Sequence, residues 1–279
     1  YPDKFLALKC QVPPIDTQRC IADYLDRKCS QIDTIIARQQ EVIEKLKAYK
    51  LSVITEAVTK GLDRDVPMKD SGVEWIGEIP EHWRLIKLKN IVGISDGTHD
   101  TPAYVDISET SHPLVTSKCI VNGKIDPSLG NHISQDDYDE INKRSKVHLY
   151  DVIMPMIGTV GNPALVLEEP NYAIKNVALL KTRGSLEIGK FVLYLLNSNL
   201  ATVQFDKINR GGVQSFISQE KLKNMIFTLP DSMPEIIVFL DKKIAAIDNV
   251  IKQKQMLIDK LVDWKKSLIY EVVTGKKEV

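Results

Sequence analysis

A 35-residue segment that occurs twice, 215 positions apart and without a gap, constrains this chain more than any other feature. Leu25 to Thr59 reads LDRKCSQIDTIIARQQEVIEKLKAYKLSVITEAVT, and Leu240 to Thr274 reads LDKKIAAIDNVIKQKQMLIDKLVDWKKSLIYEVVT. Identical pairs include Leu25/Leu240, Asp26/Asp241, Ile32/Ile247, Asp33/Asp248, Leu46/Leu261, Lys50/Lys265 and Glu56/Glu271. Neither copy contains Pro or Gly, the residues that interrupt helices. Two copies around a unique middle differ from the short-period arrays of solenoids.

Each copy reads as one long amphipathic helix, about 60 Å if about 40 residues are helical at 1.5 Å per residue. With Leu25 at heptad position a, the a row runs Leu25, Ile32, Gln39, Leu46, Val53 and, in the second copy, Leu240, Ile247, Lys254, Leu261, Leu268. The d row runs Ile21, Lys28, Ile35, Val42, Tyr49, Glu56 and Ile236, Lys243, Val250, Leu257, Trp264, Glu271. Position e adds Ile36, Ile43, Ile244, Ile251 and Ile258. A sustained seven-residue period predicts coiled-coil packing, with matched polar breaks that fix register and partner. The stripe is wider than a two-stranded seam needs. Its surplus, marked by Ile36, Ile43, Tyr49, Ile251, Ile258 and Trp264, reads as a surface for helices of another subunit. Packing on the chain's own middle domain is the competing reading. If the middle domain begins and ends at neighbouring points, the two helices run antiparallel.

The stretch before each helix also matches: Lys4 to Pro13, KFLALKCQVP, sits like Lys221 to Pro230, KLKNMIFTLP. The chain opens Tyr1-Pro2-Asp3 with no Met. The expected division is therefore 1–15, the tail of a preceding domain; 16–61, a first long helix; 62–229, a unique domain; and 230–279, a second long helix. The fold class is α+β. In the middle, Trp75, Ile76, Ile79 and Trp83 are apolar anchors among Gly and Pro turns. Short β-type runs follow at Leu85–Ile94, Pro113–Val121, Asp151–Ile157, Ala164–Leu167 and Val177–Leu180, then a helix over Ile188–Phe205.

Three glycine-bearing polar loops are candidate nucleic-acid contacts: Ser95–Tyr104, Met156–Asn162 and Asn209–Phe216. Glycine lets backbone approach a duplex, amides and guanidinium groups read base edges, and hydroxyls and N–H groups fit phosphates. The candidates are Thr98, His99, Thr101, Thr159, Asn162, Lys175, Asn176, Arg210, Gly211, Gly212, Gln214 and Ser215. Polar Gly-rich loops are also ordinary turns, so these draw their weight from the repeat around them. Net charge is zero, with 37 basic and 37 acidic residues, so any DNA surface must concentrate its charge locally.

Catalytic signatures are missing. Asn162-Pro163-Ala164 lacks the second Pro and the aromatic of an adenine methyltransferase motif. Gly184–Lys190, GSLEIGK, has phosphate-loop spacing, but Phe191 replaces the Mg²⁺-holding hydroxyl. Asp96 and His99 form a conceivable acid–base pair, with solvated loop residues or DNA contacts as the simpler reading. Cys10, Cys20, Cys29 and Cys119 show no metal-ligand spacing and read as free thiols of a cytoplasmic protein. No metal site and no membrane span is expected.

GVEWIGEIPEHWRLIKL (Gly72–Leu88), DGTHDTP (Asp96–Pro102), YDVIMPMIGTVGNPALV (Tyr150–Val166), GGVQSFISQEKLKNMIFTLP (Gly211–Pro230) and FLDKKIAAID (Phe239–Asp248) are similar to the specificity (S) subunits of type I restriction–modification systems. The resemblance covers essentially the whole chain. It implies a target-recognition domain flanked by two long antiparallel coiled-coil helices, with no catalytic site or cofactor of its own. It also implies double-stranded DNA as ligand, each recognition domain reading half of a split site. Methylation (M) subunits would bring S-adenosylmethionine, and a restriction (R) subunit would bring ATP- and Mg²⁺-dependent cleavage. One complete recognition domain is present, as expected of a C-terminal half or a half-length form that forms a homodimer.

Overall fold

The computed structural model describes residues 12–158, 160–209 and 216–279. The described elements begin with α1 (Ile15–Lys60), β1 (Met68–Asp70), β2 (Glu78–Pro80), β3 (Arg84–Lys87), β4 (Gly93–Asp96) and β5 (His112–Val115). β6 (Ile120–Val121), β7 (Lys124–Ile125), β8 (Asn131–Ile133), α2 (Gln135–Ser145), β9 (Val152–Pro155) and β10 (Ala164–Leu165) follow. The rest are β11 (Ala173–Ile174), β12 (Val177–Lys181), α3 (Leu186–Leu196), α4 (Asn199–Asn209), α5 (Gln219–Lys223), β13 (Ile226–Leu229) and α6 (Met233–Val273). Both repeats are thus single helices. The chain divides into two compact units: one contains α1 up to Tyr49 together with Ile244–Val279, the other Lys50–Lys243.

In the helical unit, α1 and α6 run antiparallel. Ile32, Leu268 and Val272 form its core, with Ile21, Leu25, Ile36 and Leu261 packed against them. Lys265 donates to both carboxylate oxygens of Asp33 at 2.7 Å, and that bond holds the ammonium above the ordinary lysine range. Cys20 Sγ lies 3.7 Å from the Val279 carbonyl. Early residues of α1 therefore meet late residues of α6. In a background lacking the native thiols, Leu25→Cys with Val272→Cys is expected to form an intrachain disulfide on oxidation, read as a gel shift. Leu25→Cys with Leu240→Cys is expected to form none, and the reverse pattern would contradict an antiparallel pair.

The seam follows a different phase from the a/d pattern. Ile32, Ile247 and Leu268 at a, and Ile43, Ile258 and Val272 at e, are buried. Ile36 and Ile251 at e are half-buried. Six d positions are exposed, Ile35, Val42 and Tyr49 on α1 and Val250, Leu257 and Trp264 on α6, whereas Ile21 at d packs on the seam core and Ile236 at d is buried. Of the six expected partner-facing residues, then, Ile36, Ile43, Ile251 and Ile258 lie in or beside the chain's own seam. Only Tyr49 and Trp264 face outward. The physical reason is stripe width: a and e are only about 40° apart at 100° per residue, so they make a compact intrachain strip and leave d to one side.

The second unit contains several small sheets. The order β10-β9-β12-β4 is antiparallel throughout. β12 is central, buried over Val177–Leu180, which explains its unbroken apolar run. In β11-β5-β8, β11 pairs with β5 in parallel. Val115, Cys119, Ile153, Ile174 and Leu179 share one core. The run Leu85–Ile94 splits at a 3₁₀ turn, Leu88–Asn90, so β3 pairs with β13 and β4 with β12.

The expected helix over Ile188–Phe205 is two helices. Ser198 ends the first by donating its hydroxyl to the Leu195 carbonyl at 2.6 Å, and its own carbonyl accepts from Ala201 N. The entry anchors Ile76, Ile79 and Trp83 are buried, and Lys207 sits 3.7 Å over the Trp75 ring.

Candidate nucleic-acid interface

β4 runs into the first candidate loop through Gly97, and only glycine fits there. A Cβ at Gly97 would lie 2.4 Å from the Ile174 carbonyl oxygen. Gly97 N donates to Val177 O at 2.9 Å, Thr98 N to Ile174 O at 3.0 Å, and Asn176 N to Thr98 O at 3.1 Å. These bonds staple the loop onto the connection between β11 and β12. Asn176 adopts φ 56°, a left-handed turn that asparagine tolerates.

The stapling brings five candidates together. His99 Nε2 is 2.9 Å from Asp96 Oδ2 and Nδ1 is 3.0 Å from Asn176 Oδ1. Lys175 donates to the Thr101 hydroxyl, and the Thr98 hydroxyl accepts from Asp100 N at 3.2 Å. The bonds to Asp96 and then Asn176 raise the His99 pKa above its ordinary value. His99 and Thr101 are exposed. Lys175 is only 9% exposed, so its ammonium holds the loop through Thr101 rather than standing free for a phosphate.

Arg144 completes the cluster and was not singled out in the sequence. It donates to Gly97 O at 3.1 Å and sits 3.7 Å from Asp96 Oδ1, with its side chain largely exposed. It lies in the last turn of α2, whose first turn is capped by Ser134 Oγ accepting from Asp137 N at 3.2 Å. Tyr138 and Ile141 pack α2 on the small core of Leu114, Ile133 and Ala173. A polar helix carrying two apolar residues gives little periodic signal, and its caps are the legible part.

Asn162 lies elsewhere: it has φ 52°, and its Nδ2 donates to Ile120 O at 3.4 Å. Thr159, Arg210, Gly211, Gly212, Gln214 and Ser215 lie outside the described residues. The flanks of the second and third loops meet, however. Ile157 pairs with Phe216, and Ile217 N donates to Met156 O at 2.9 Å.

The phosphate-loop look-alike is a turn and the start of α3. Ser185 Oγ accepts from Ile188 N at 3.2 Å, a helix cap, and Lys190 pairs with Asp241 at 2.5 Å. A Cβ at Gly189 would meet the Tyr150 carbonyl at 2.5 Å, so this glycine serves close packing. Among the described residues no group of His, Cys, Asp or Glu could hold a metal, and no helix is long and apolar enough to cross a membrane.

No protein-family profile matches the chain. The type I restriction enzyme EcoBI specificity subunit of Escherichia coli is 26% identical over 250 residues, covering 87% of this chain and 52% of that protein. The MjaVIII specificity subunit of Methanocaldococcus jannaschii is 26% identical over 259 residues, covering 90% and 58%. The chain is similar to type I restriction specificity subunits over most of its length. It spans a little over half the length of these two curated specificity subunits. The fold agrees: the HsdS subunit of Thermoanaerobacter tengcongensis superposes with TM-score 0.55 at 15% identity, over 95% of this chain and 60% of that one. A chain from a structure of complex assembly and conformational transition in the type I R-M system gives TM-score 0.67 at 15% identity, over 95% and 61%.

Proposed function

We propose that this chain is the DNA-reading, non-catalytic component of a type I restriction–modification enzyme. The observation that carries the reading is the combination of its relatedness to specificity subunits with a stapled polar loop cluster, Asp96–Thr101 with Lys175 and Asn176, on a unit bounded by the repeated helices. The recognition domain is 62–229, the helices at 16–61 and 230–279 are spacers, and residues 1–15 end a preceding recognition domain. One recognition domain reads one half of a split double-stranded DNA target. His99 and Asn176 sit where bases are read. Arg144 is the phosphate contact, in place of Lys175. The third loop, Arg210–Ser215, is a second reading element.

The exposed d rows receive helices of the methylation subunits, which carry S-adenosylmethionine and transfer the methyl group. The restriction subunit brings ATP and Mg²⁺. A homodimer would supply two recognition domains to one assembly.

Expression with and without this gene, followed by mapping of genomic adenine methylation, tests the reading. A split, two-part methylated motif is expected to appear only with the gene. In vitro, Arg210→Ala and Gln214→Ala are each expected to weaken binding to that motif by about 1–3 kcal/mol, with a smaller change on unrelated duplexes. Methyl transfer by the purified chain alone, or binding that ignores salt, would overturn the proposal.

A further inference from the structure

His99 stands between two groups that constrain its chemistry. The Asp96 carboxylate accepts only, so the ring nitrogen facing it at 2.9 Å, Nε2, carries a proton in either charge state. The opposite nitrogen, Nδ1, faces the Asn176 amide at 3.0 Å. An imidazolium donates from Nδ1 and requires the amide oxygen there. A neutral ring has a lone pair on Nδ1 and requires the amide NH₂ there. The Asn176 amide therefore shows its NH₂ outward in the first state and its oxygen outward in the second. Its backbone is fixed by the Thr98 pairing and the φ of 56°, so a turn of the amide, rather than a movement of the loop, is the available response.

We propose that His99 is a positioning residue that sets which end of the Asn176 amide meets a DNA base, so that the base preferred at that position changes with the charge on the imidazole. The inference rests on the DNA-reading role proposed above. An outward NH₂ donates to the major-groove acceptors of guanine or thymine. An outward oxygen accepts from the exocyclic amine of adenine or cytosine.

The other charged groups around the ring are Asp96 at the end of β4, Arg144 on α2, Asp100 in the loop, and Lys175 beside Asn176. Asp96 favours the imidazolium and Arg144 opposes it, with the Asp96 bond the larger effect. The ring's midpoint is thus displaced upward from the ordinary value of about 6.5. The NH₂-outward state is full below that value and gives way as pH rises through the displaced midpoint.

Two measurements on the full chain test this. In the free protein, NMR titration is expected to show the His99 ring and the Asn176 side-chain amide changing together, and Asn176→Ala is expected to lower the His99 midpoint. Selection from a randomised duplex library is then run at about pH 5.5 and about pH 9, on either side of the ordinary histidine value. One position of the selected motif is expected to move from guanine or thymine to adenine or cytosine, with relative preference changing about tenfold, the size of one base contact. In His99→Ala the motif is expected to be the same at both pH values. A motif that is selected but unchanged with pH overturns this inference and leaves DNA reading intact, as does a shift that persists in His99→Ala. Selection of no motif at either pH overturns the DNA-reading role and this inference with it.

Discussion

Gly97→Ala is expected to lower the melting temperature by roughly 5–15 °C and to abolish sequence-selective DNA binding. The new methyl group would stand 2.4 Å from the Ile174 carbonyl oxygen, 2.6 Å from its carbon and 2.8 Å from Lys175 N, all backbone atoms that cannot rotate away. Relief requires the strand ends to part, breaking the bonds from Gly97 N to Val177 O and from Thr98 N to Ile174 O. Overpacking of this kind costs about 2–4 kcal/mol. For a unit of this size that converts to about 2–4 °C per kcal/mol. The same movement separates His99 from Asn176 and Thr101 from Lys175, so binding is lost with the staple. Gly72→Ala is the control: it has a positive φ of 72°, which Gly97 does not, but no atom lies within 4 Å of its added Cβ. Its cost is backbone strain alone, about 1–2 kcal/mol, and DNA selection is expected to survive. Calorimetry and a duplex-binding titration on both variants decide the matter. Equal behaviour of the two glycines would show that the close approach at Gly97 is unimportant.

The long helices were legible because a seven-residue period over five heptads has few other readings, and because an ungapped repeat doubles the observation. The phase of their seam was not. A stripe occupying a, d and e allows two choices of adjacent rows, and sequence carries no record of which rows the partner helix of the same chain covers. The matched polar breaks do not decide between the rows: Lys28/Lys243 and Glu56/Glu271 fall in d, and Gln39/Lys254 falls in a. Ile188–Phe205 looked continuous because its apolar spacing runs through Ser198, whose hydroxyl competes for the helix backbone. α2 was overlooked for the opposite reason: its apolar face is two residues, and its helicity is written in Ser134, Asp136, Asp137 and the terminal Arg144.

Of the candidate site, the loop Thr98–Thr101 and the pair Lys175–Asn176 were recognisable separately, from glycine and polar composition. Their meeting was not, because they are more than seventy positions apart and are joined by backbone pairing between Thr98 and Lys175. The role of Lys175 changed for the same reason. A lysine in a sequence reads as a free cation, whereas burial under a loop makes its ammonium a tether.

The d rows make the largest prediction about assembly. At 100° per residue, d lies about 80° from the middle of an a/e seam, so it is uncovered by the helix it flanks. Two antiparallel helices that use the same seam are related by a two-fold axis normal to their common plane. Equal register positions then lie on the same side of the pair. Ile35, Val42 and Tyr49 of α1 and Val250, Leu257 and Trp264 of α6 consequently form one apolar face, with Leu257 40% and Trp264 53% exposed. The proposed docking of partner helices on the exposed d positions would use this face, with its large aromatic as the anchor.

Leu257→Asp with Trp264→Asp is therefore expected to weaken association with the methylation subunit at least 100-fold, about 2.8 kcal/mol at 1.4 kcal/mol per tenfold. Helix content and melting temperature of the isolated chain are expected to hold, because neither side chain belongs to the buried seam. Ile258→Asp, one residue away but 5% exposed, is expected to do the reverse and unfold the pair before it affects any partner. Sedimentation of each variant with and without the methylation subunit separates the cases. If the double variant instead dissociates a homodimer of this chain and leaves methylation-subunit binding unchanged, the face belongs to self-association. If it does neither, the d rows are not an interface, because a surface that tolerates two buried-charge substitutions has no partner to desolvate them.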